Sequence, residues 1–78
     1  MFINKSPDGR NNLCGRQVAF YRKALQISQR ALADRLQIIG LDLDKNAIQR
    51  IESGQRFVTD IELKALASVL SKSLDEML

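Results

Sequence analysis

Histidine and tryptophan are absent from this 78-residue sequence, which has one cysteine, Cys14, and one proline. These absences exclude a Cys/His zinc site, a Ser/His/Asp or Cys/His catalytic set and an intrachain disulfide. No apolar run approaches the ~20 residues of a membrane-spanning helix, and the first residues lack the apolar region of a signal peptide. We therefore expect a cytoplasmic protein that is not an enzyme, with no cofactor, metal or small-molecule ligand.

The length and composition predict one small folded domain. A chain of this size buries only about 60–65% of the surface that its unfolded form exposes. Its residues are 45% hydrophobic and 27% charged, which is ordinary for a globular domain and argues against wholesale disorder. Because no disulfide or zinc site is available, the domain must be stabilised by side-chain packing alone.

Positive charge is concentrated in the first half of the chain. Residues 1–37 carry seven basic and two acidic side chains, whereas residues 38–78 carry five basic and seven acidic ones. This asymmetry, with a sequence pI near 9.4, suits a protein that binds a polyanion on one face. Many small basic proteins bind no nucleic acid, so charge alone leaves both interpretations open.

Helical periodicity divides the chain into a flexible N-terminal arm, residues 1–11, and a domain, residues 12–78. The arm contains the proline and a Pro-Asp-Gly turn signal but no apolar face. Five segments with apolar spacings of three and four follow, the first from about Asn12 to Gln26, and no segment alternates as a strand does. The sequence therefore predicts an all-α fold.

Start and stop signals delimit the other four helices. Glycines at Gly40 and Gly54 are suited to end the second and third helices, and the LDLD segment between them predicts a buried connector with outward-facing aspartates. Glutamate three residues after the last two N-caps completes a capping box in each. The predicted N-caps are Ser28, Asp44, Thr59 and Ser73.

The apolar stripes of these helices predict the core. Either Leu13 or Cys14 begins the stripe of the first helix, and Tyr21 belongs to it with its hydroxyl near the surface. Phe20 and Phe57 lie off the stripes, where covering the edge of the core is favoured over a subunit contact. The residues expected to be largely buried are Leu25, Ile27, Leu32, Leu36, Ile48, Ile51, Leu63, Leu66 and Leu70.

Three strings, VAFYRKALQISQRALA, AIQRIESGQR and TDIELKALASVLSKSLDEML, occur in an order and spacing that resemble the Cro/C1-type (XRE-like) helix-turn-helix family. The resemblance covers about residues 13–78 and implies a five-helix lambda-repressor-like domain that binds double-stranded DNA. The commonest members have a glycine four residues after the helix-two alanine. Counted from Ala33, that position is Gln37, and glycine arrives only at Gly40. The chain thus resembles a longer-turn variant of the family.

The resemblance implies that the third helix lies in the major groove of DNA. Four of its residues fall on one face, opposite Ile48 and Ile51, and their side chains suit base edges: Asn and Gln pair with adenine, Lys and Arg with guanine. A solvated helix surface would favour the same residue types. The candidate base-contacting residues are Lys45, Asn46, Gln49 and Arg50.

Two further sets of residues take roles from the resemblance. Ser28 and Gln29 open the second helix, where free amides suit a phosphate oxygen, and Arg56 is a third candidate phosphate contact that is equally compatible with an ordinary exposed loop residue. Arg22 and Glu52 occupy the positions of a partly buried ion pair in this family; otherwise each would be an exposed charge.

The resulting functional hypothesis is a sequence-specific transcriptional regulator, repressor-like, that binds a two-fold operator as a homodimer. Leu74, Met77 and Leu78 are the expected apolar dimer surface. The alternative is a protein-interaction module, such as the antitoxin-like half of a complex. Salt dependence separates the two, because neutralising phosphates makes affinity fall steeply with salt. No membrane partner is expected.

Overall fold

A computed structural model describes residues 5–78, which form five helices and no strand. The helices are α1 Gly15–Ala24, α2 Gln29–Ile38, α3 Lys45–Ser53, α4 Asp60–Leu70 and α5 Leu74–Met77. The third helix, α3, packs against α1 and α2; α4 also packs against α1 and α2, and α5 lies against α4 and α1. The prediction of an all-α, five-helix domain is confirmed.

Side chains cap the starts of the last four helices. Ser28 Oγ accepts from the backbone N–H of Ala31 at 3.0 Å, and Asp44 Oδ1 accepts from that of Ala47 at 2.8 Å. Thr59 and Ser73 each form a capping box with the glutamate three residues later. All four predicted N-caps are confirmed, because each is a local pattern that satisfies amides left unpaired at a helix start.

The core lies where α1, α2, α3 and α4 meet. Most of the predicted core is buried, and Ile27 and Leu63 are partly buried against it. The prediction for Leu25 is wrong, because this residue caps the end of α1 and is 46% exposed; the chain turns at Gln26, whose φ is 59°. Of the two candidates at the start of α1, Cys14 is buried and Leu13 is exposed.

Aromatic and C-terminal apolar residues differ from expectation. Phe20 and Phe57 are 68% and 55% exposed, so neither covers the core edge as predicted. Met77 is fully buried because α5 folds back on α4 and α1, which leaves only Leu74 and Leu78 of the predicted dimer surface exposed. None of the helices within residues 5–78 is long and apolar enough to cross a membrane.

The connector between α2 and α3 follows the predicted alternation. Leu43 is buried and Leu41 partly buried, whereas Asp42 and Asp44 face solvent. Gly40 has a φ of 95°, a left-handed conformation that glycine adopts without steric cost, and no atom lies where a Cβ would stand. The connector thus attaches α3 to the core through leucine side chains.

The predicted flexible arm contacts the domain through Asp8, Arg10 and Asn11, and residues 1–4 lie outside the described part. The backbone N–H groups of Ser6 and Gly9 close a turn with Arg10 O and Ser6 O. Asn11 then donates its backbone N–H to Gly54 O, at the end of α3, at 2.8 Å. The segment before α1 is therefore hydrogen-bonded to the end of α3, the helix that carries the candidate base-contacting residues.

Candidate nucleic-acid interface

The outward face of α3 carries four exposed polar side chains. Ile48 and Ile51, on the opposite side, are fully buried, so the helix is fixed with its apolar stripe on the core. Within residues 5–78, none of the four polar side chains makes a hydrogen bond or an ion pair with another part of the protein. Their donors and acceptors are open to a ligand. These residues are Lys45, Asn46, Gln49 and Arg50.

The last turn of α3 is joined to α1 and α2 through the carboxylate of Glu52. Arg22 binds it with two hydrogen bonds, Nε to Oε2 at 2.6 Å and Nη2 to Oε1 at 3.0 Å. Gln29 Nε2 of α2 donates to Oε1 at 3.0 Å. One carboxylate therefore connects three helices.

The Arg22–Glu52 pair is largely shielded from water. The two side chains are 11% and 9% exposed, and Arg22 also donates through Nη1 to Ile27 O at 2.9 Å. The hydrogen bond to Glu52 raises the pKa of Arg22, which keeps the guanidinium charged. The structure thus places Arg22 and Glu52 in a bidentate pair, the geometry in which loss of one partner strands a poorly hydrated charge.

Ser28 and Gln29 use their side chains within the protein. The Ser28 hydroxyl caps the N–H of Ala31, and the Gln29 amide contacts Glu52. What the start of α2 offers outward is its backbone, since the first amides of a helix have no intrahelical carbonyl partner. Any anion at this helix start would bind to the backbone N–H groups and the positive end of the helix dipole.

Arg56, the third candidate phosphate contact, pairs with Glu62 of α4. Its Nη1 and Nη2 lie 2.9 and 3.0 Å from the two carboxylate oxygens, and Nη1 also donates to Phe57 O at 3.1 Å. The hydrogen bond from Arg56 lowers the pKa of Glu62. This guanidinium therefore closes the loop between α3 and α4, where sequence reasoning placed an exposed cation.

Sequence reasoning missed a second group of residues beside α3, Arg10–Asn12. Their side chains and one backbone N–H donate to carbonyls at the end of α3 and in the following loop. One local signal was available: Asn12 stands three residues before Gly15 and accepts from its N–H at 2.8 Å, a local bond to the backbone that asparagine side chains commonly form. The partner carbonyls carry no sequence signal, because every residue type has one.

The structure thus defines a class of protein: a small helical domain in which one helix, fixed by its inner face and its last turn, presents an open polar face. The helix-turn-helix family model matches residues 18–77, and the chain belongs to the Cro/C1-type helix-turn-helix family. No curated protein matches the chain.

Two solved structures are similar to this chain, each with 28% identity and a TM-score of 0.72. One is the restriction-modification controller protein C.AhdI from Aeromonas hydrophila, with 82% of this chain and 86% of that chain covered. The other is the P22 c2 repressor in complex with a synthetic operator, with 86% of this chain and 94% of that chain covered. The family and both structures place the chain among DNA-binding transcriptional regulators.

Proposed function

We propose that this chain is a repressor-like regulator that binds a specific double-stranded DNA sequence as a homodimer. The observation that carries the proposal is the contrast on α3 between a fully engaged inner side and an outward face without internal partners. That face holds two cations and two amides, the side chains best suited to purine edges.

The four residues differ in reach toward a base. Lys45 and Asn46 lie in the first turn of α3, and residues at the start of a recognition helix contact base edges most readily. Gln49 follows one turn later on the same face and suits a bidentate contact with adenine. Arg50 lies beside it and suits guanine, so we assign base reading to all four.

Backbone contacts to phosphate are assigned to the start of α2. The amides near Ser28 and Gln29 would bind one phosphate oxygen, while the Gln29 side chain stays on Glu52 and links this contact to the position of α3. Arg56 would contact phosphate only by exchanging Glu62 for it. We therefore rank Arg56 last among the three.

Similarity to a repressor bound to its operator supports this mode of action. The P22 c2 repressor was crystallised with synthetic operator DNA, and its chain matches this one over most of both lengths. The homodimer rests on the exposed Leu74 and Leu78 at the C-terminal helix. Dimerisation there would set two α3 helices on half-sites with centres about 34 Å apart.

Selection of bound sites from a random duplex library tests the proposal. We expect a motif with two-fold symmetry and a log affinity that falls linearly with log salt as several phosphate contacts are lost. Lys64→Ala, which removes one exposed positive charge from α4, serves as a control for the effect of net charge and should leave the motif unchanged. Enrichment of no motif, with weak binding that barely depends on salt, would favour the protein-interaction module instead.

A further inference from the structure

We propose that Arg10, Asn11 and Asn12 form an N-terminal clamp that fixes the C-terminal end of α3 and so positions its DNA-reading face. The inference rests on the proposed function for its DNA consequence but not for its structural one. The clamp lies before residue 18, where the family match begins. Its three members are therefore positioning residues that the helix-turn-helix pattern does not include.

The clamp donates to five carbonyls within six residues. Asn12 Nδ2 lies 3.0 Å from Ile51 O and 2.7 Å from Arg56 O, which joins the last turn of α3 to the loop that follows it. Arg10 Nη2 lies 2.7 Å from Glu52 O. Asn11 adds its backbone N–H on Gly54 O at 2.8 Å and its side-chain Nδ2 on Gln55 O at 2.9 Å.

Two of these carbonyls, Ile51 O and Glu52 O, belong to the last turn of α3, where a helix lacks part of its intrahelical bonding, and the other three belong to the turn and loop that follow. The last carbonyls of a helix carry the negative end of its dipole, so a guanidinium beside them is favourably placed. Arg10 Nε is shielded from solvent, and the position that a Cβ on Gly54 would take lies 2.8 Å from Arg10 Cζ. The guanidinium of Arg10 therefore lies against the left-handed turn that ends α3.

Asn12 also ties the clamp to α1. Its Oδ1 accepts from Gly15 N at 2.8 Å while its Nδ2 donates to the end of α3, so both ends of one amide are used. A Cβ on Gly15 would overlap Ile51 O, which shows how closely the two helices approach here. The start of α1 and the end of α3 are thus joined by one side chain.

The clamp and the partners of the Glu52 carboxylate hold the last turn of α3 through different groups. Arg22 and Gln29 hold the Glu52 side chain, and Arg10 holds its backbone carbonyl. With both groups bound, the helix can neither roll on its apolar stripe nor fray at its last turn without breaking hydrogen bonds. The four outward side chains, which lie within the two turns before Glu52, are therefore held in a fixed orientation.

Hydrogen exchange of the free protein tests the structural half. Arg10→Ala removes one clamp donor, and Asn12→Asp keeps the oxygen that accepts from Gly15 while replacing the amide that donates to α3. In each variant the amides of Gly54 and Gln55 should exchange about tenfold faster, the scale of one lost hydrogen bond to a shielded carbonyl, while amides in the middle of α4 stay unchanged. Ser73→Ala, which removes the cap of α5, is the control and should not accelerate Gly54 or Gln55 selectively.

Equal acceleration in α3 and α4, or none in either, would overturn the clamp, because its loss would then be global or without consequence. This measurement needs no DNA. It therefore decides the clamp even if the wild-type chain proves to select no duplex, a result that would count against the proposed function alone.

Binding to the selected duplex tests the functional half. Arg10→Ala should reduce the ratio of affinities for the selected and a scrambled duplex, at an unchanged slope of log affinity against log salt, since Arg10 is bound to Glu52 O. A slope shallower by about one, with both duplexes weakened equally, would mean that Arg10 contacts phosphate and would overturn the positioning role.

Discussion

The inner side and the outward face of α3 use their polar groups in opposite ways. At the inner end, the Glu52 carboxylate binds Arg22 and Gln29, and the carbonyls of Ile51 and Glu52 accept from the N-terminal clamp. On the outward face, Gln49 and its three neighbours have no internal partner among residues 5–78. The fold satisfies the groups that orient the helix and leaves unsatisfied the groups that can read a base.

This division suits recognition, because base contacts discriminate only when their geometry is fixed. A binding site is accurate when its side chains stand on a rigid element that packing and second hydrogen bonds hold in place. The buried ion pair and the clamp supply that support at one end of α3, and the Asp44 cap supplies it at the other. Substitutions that remove either the contacts holding α3 or the polar side chains of its outward face test this division.

The largest expected effect comes from the ion pair. Arg22→Ala and Glu52→Ala should each lower the free energy of unfolding by about 3–5 kcal/mol, because each strands the other charge in a shielded site. The double variant should lose much less than the sum of the two. Thermal or urea unfolding of the four proteins in a double-mutant cycle measures this coupling. Two small additive losses, about 0–1 kcal/mol each, would show independent surface charges.

The second-largest effect on stability should come from a substitution where α1 approaches α3 closely. Gly15→Ala should lower the free energy of unfolding by about 1–3 kcal/mol, since its Cβ would overlap the backbone oxygen Ile51 O, which cannot move aside as the nearby Arg10 and Asn12 side chains can. Gly40→Ala is the matched control: it has open space and only a left-handed φ, so about 1 kcal/mol is expected. Urea unfolding compares them. An equal loss in both would mean that the contact with α3 relaxes freely.

The outward face should respond in binding and not in stability. Gln49→Ala should change the free energy of unfolding by less than about 0.5 kcal/mol. Its cost in discrimination should be about 1–3 kcal/mol at one base position per half-site. Arg56→Ala should do the reverse, leaving the selected motif unchanged while lowering stability through loss of Glu62. Parallel site selection and melting curves check both; a motif altered by Arg56→Ala alone would reverse the assignment.

The smallest effect concerns acid pH. Arg56 holds the pKa of Glu62 below its ordinary value, so the pair stabilises the fold above the unfolded carboxyl pKa of about 4.3 and loses that contribution as pH falls through the lower folded value. Glu62→Gln should therefore lower the melting temperature at neutral pH, and the difference from wild type should shrink in acid. A constant difference from neutral to acid pH would show that Glu62 stabilises by other means.

Local patterns were predictable from the sequence, and contacts distant along the chain were less so. The caps at Ser28 and Asp44 depend on residues three positions away, and the stripe through Ile48 and Ile51 depends on helical periodicity alone. The predicted burial of Leu25 is wrong because the apolar periodicity of α1 continues past the residue where the chain turns. The predicted exposure of Met77 is wrong because its burial depends on how α5 folds back, which no spacing within α5 specifies.

The clamp shows the limit most clearly. Asn12 is 39 and 44 positions away in the sequence from its carbonyl partners Ile51 and Arg56. A backbone carbonyl is present in every residue type, so the sequence gives no signal for such a partner. The ion pair between Arg22 and Glu52 could be predicted only through the family resemblance. The bond from Gln29 to Glu52 was not anticipated, because a glutamine at a helix start suits both an outward and an inward contact.

The most direct test is site selection with a variant that carries alanine at Lys45, Asn46, Gln49 and Arg50. Because these side chains have no internal partners, the variant should fold with a melting temperature close to that of wild type. It should lose the sequence motif while keeping weak, salt-dependent binding through the start of α2. If the variant folds and still enriches the wild-type motif, α3 does not read DNA, and its open face serves another partner.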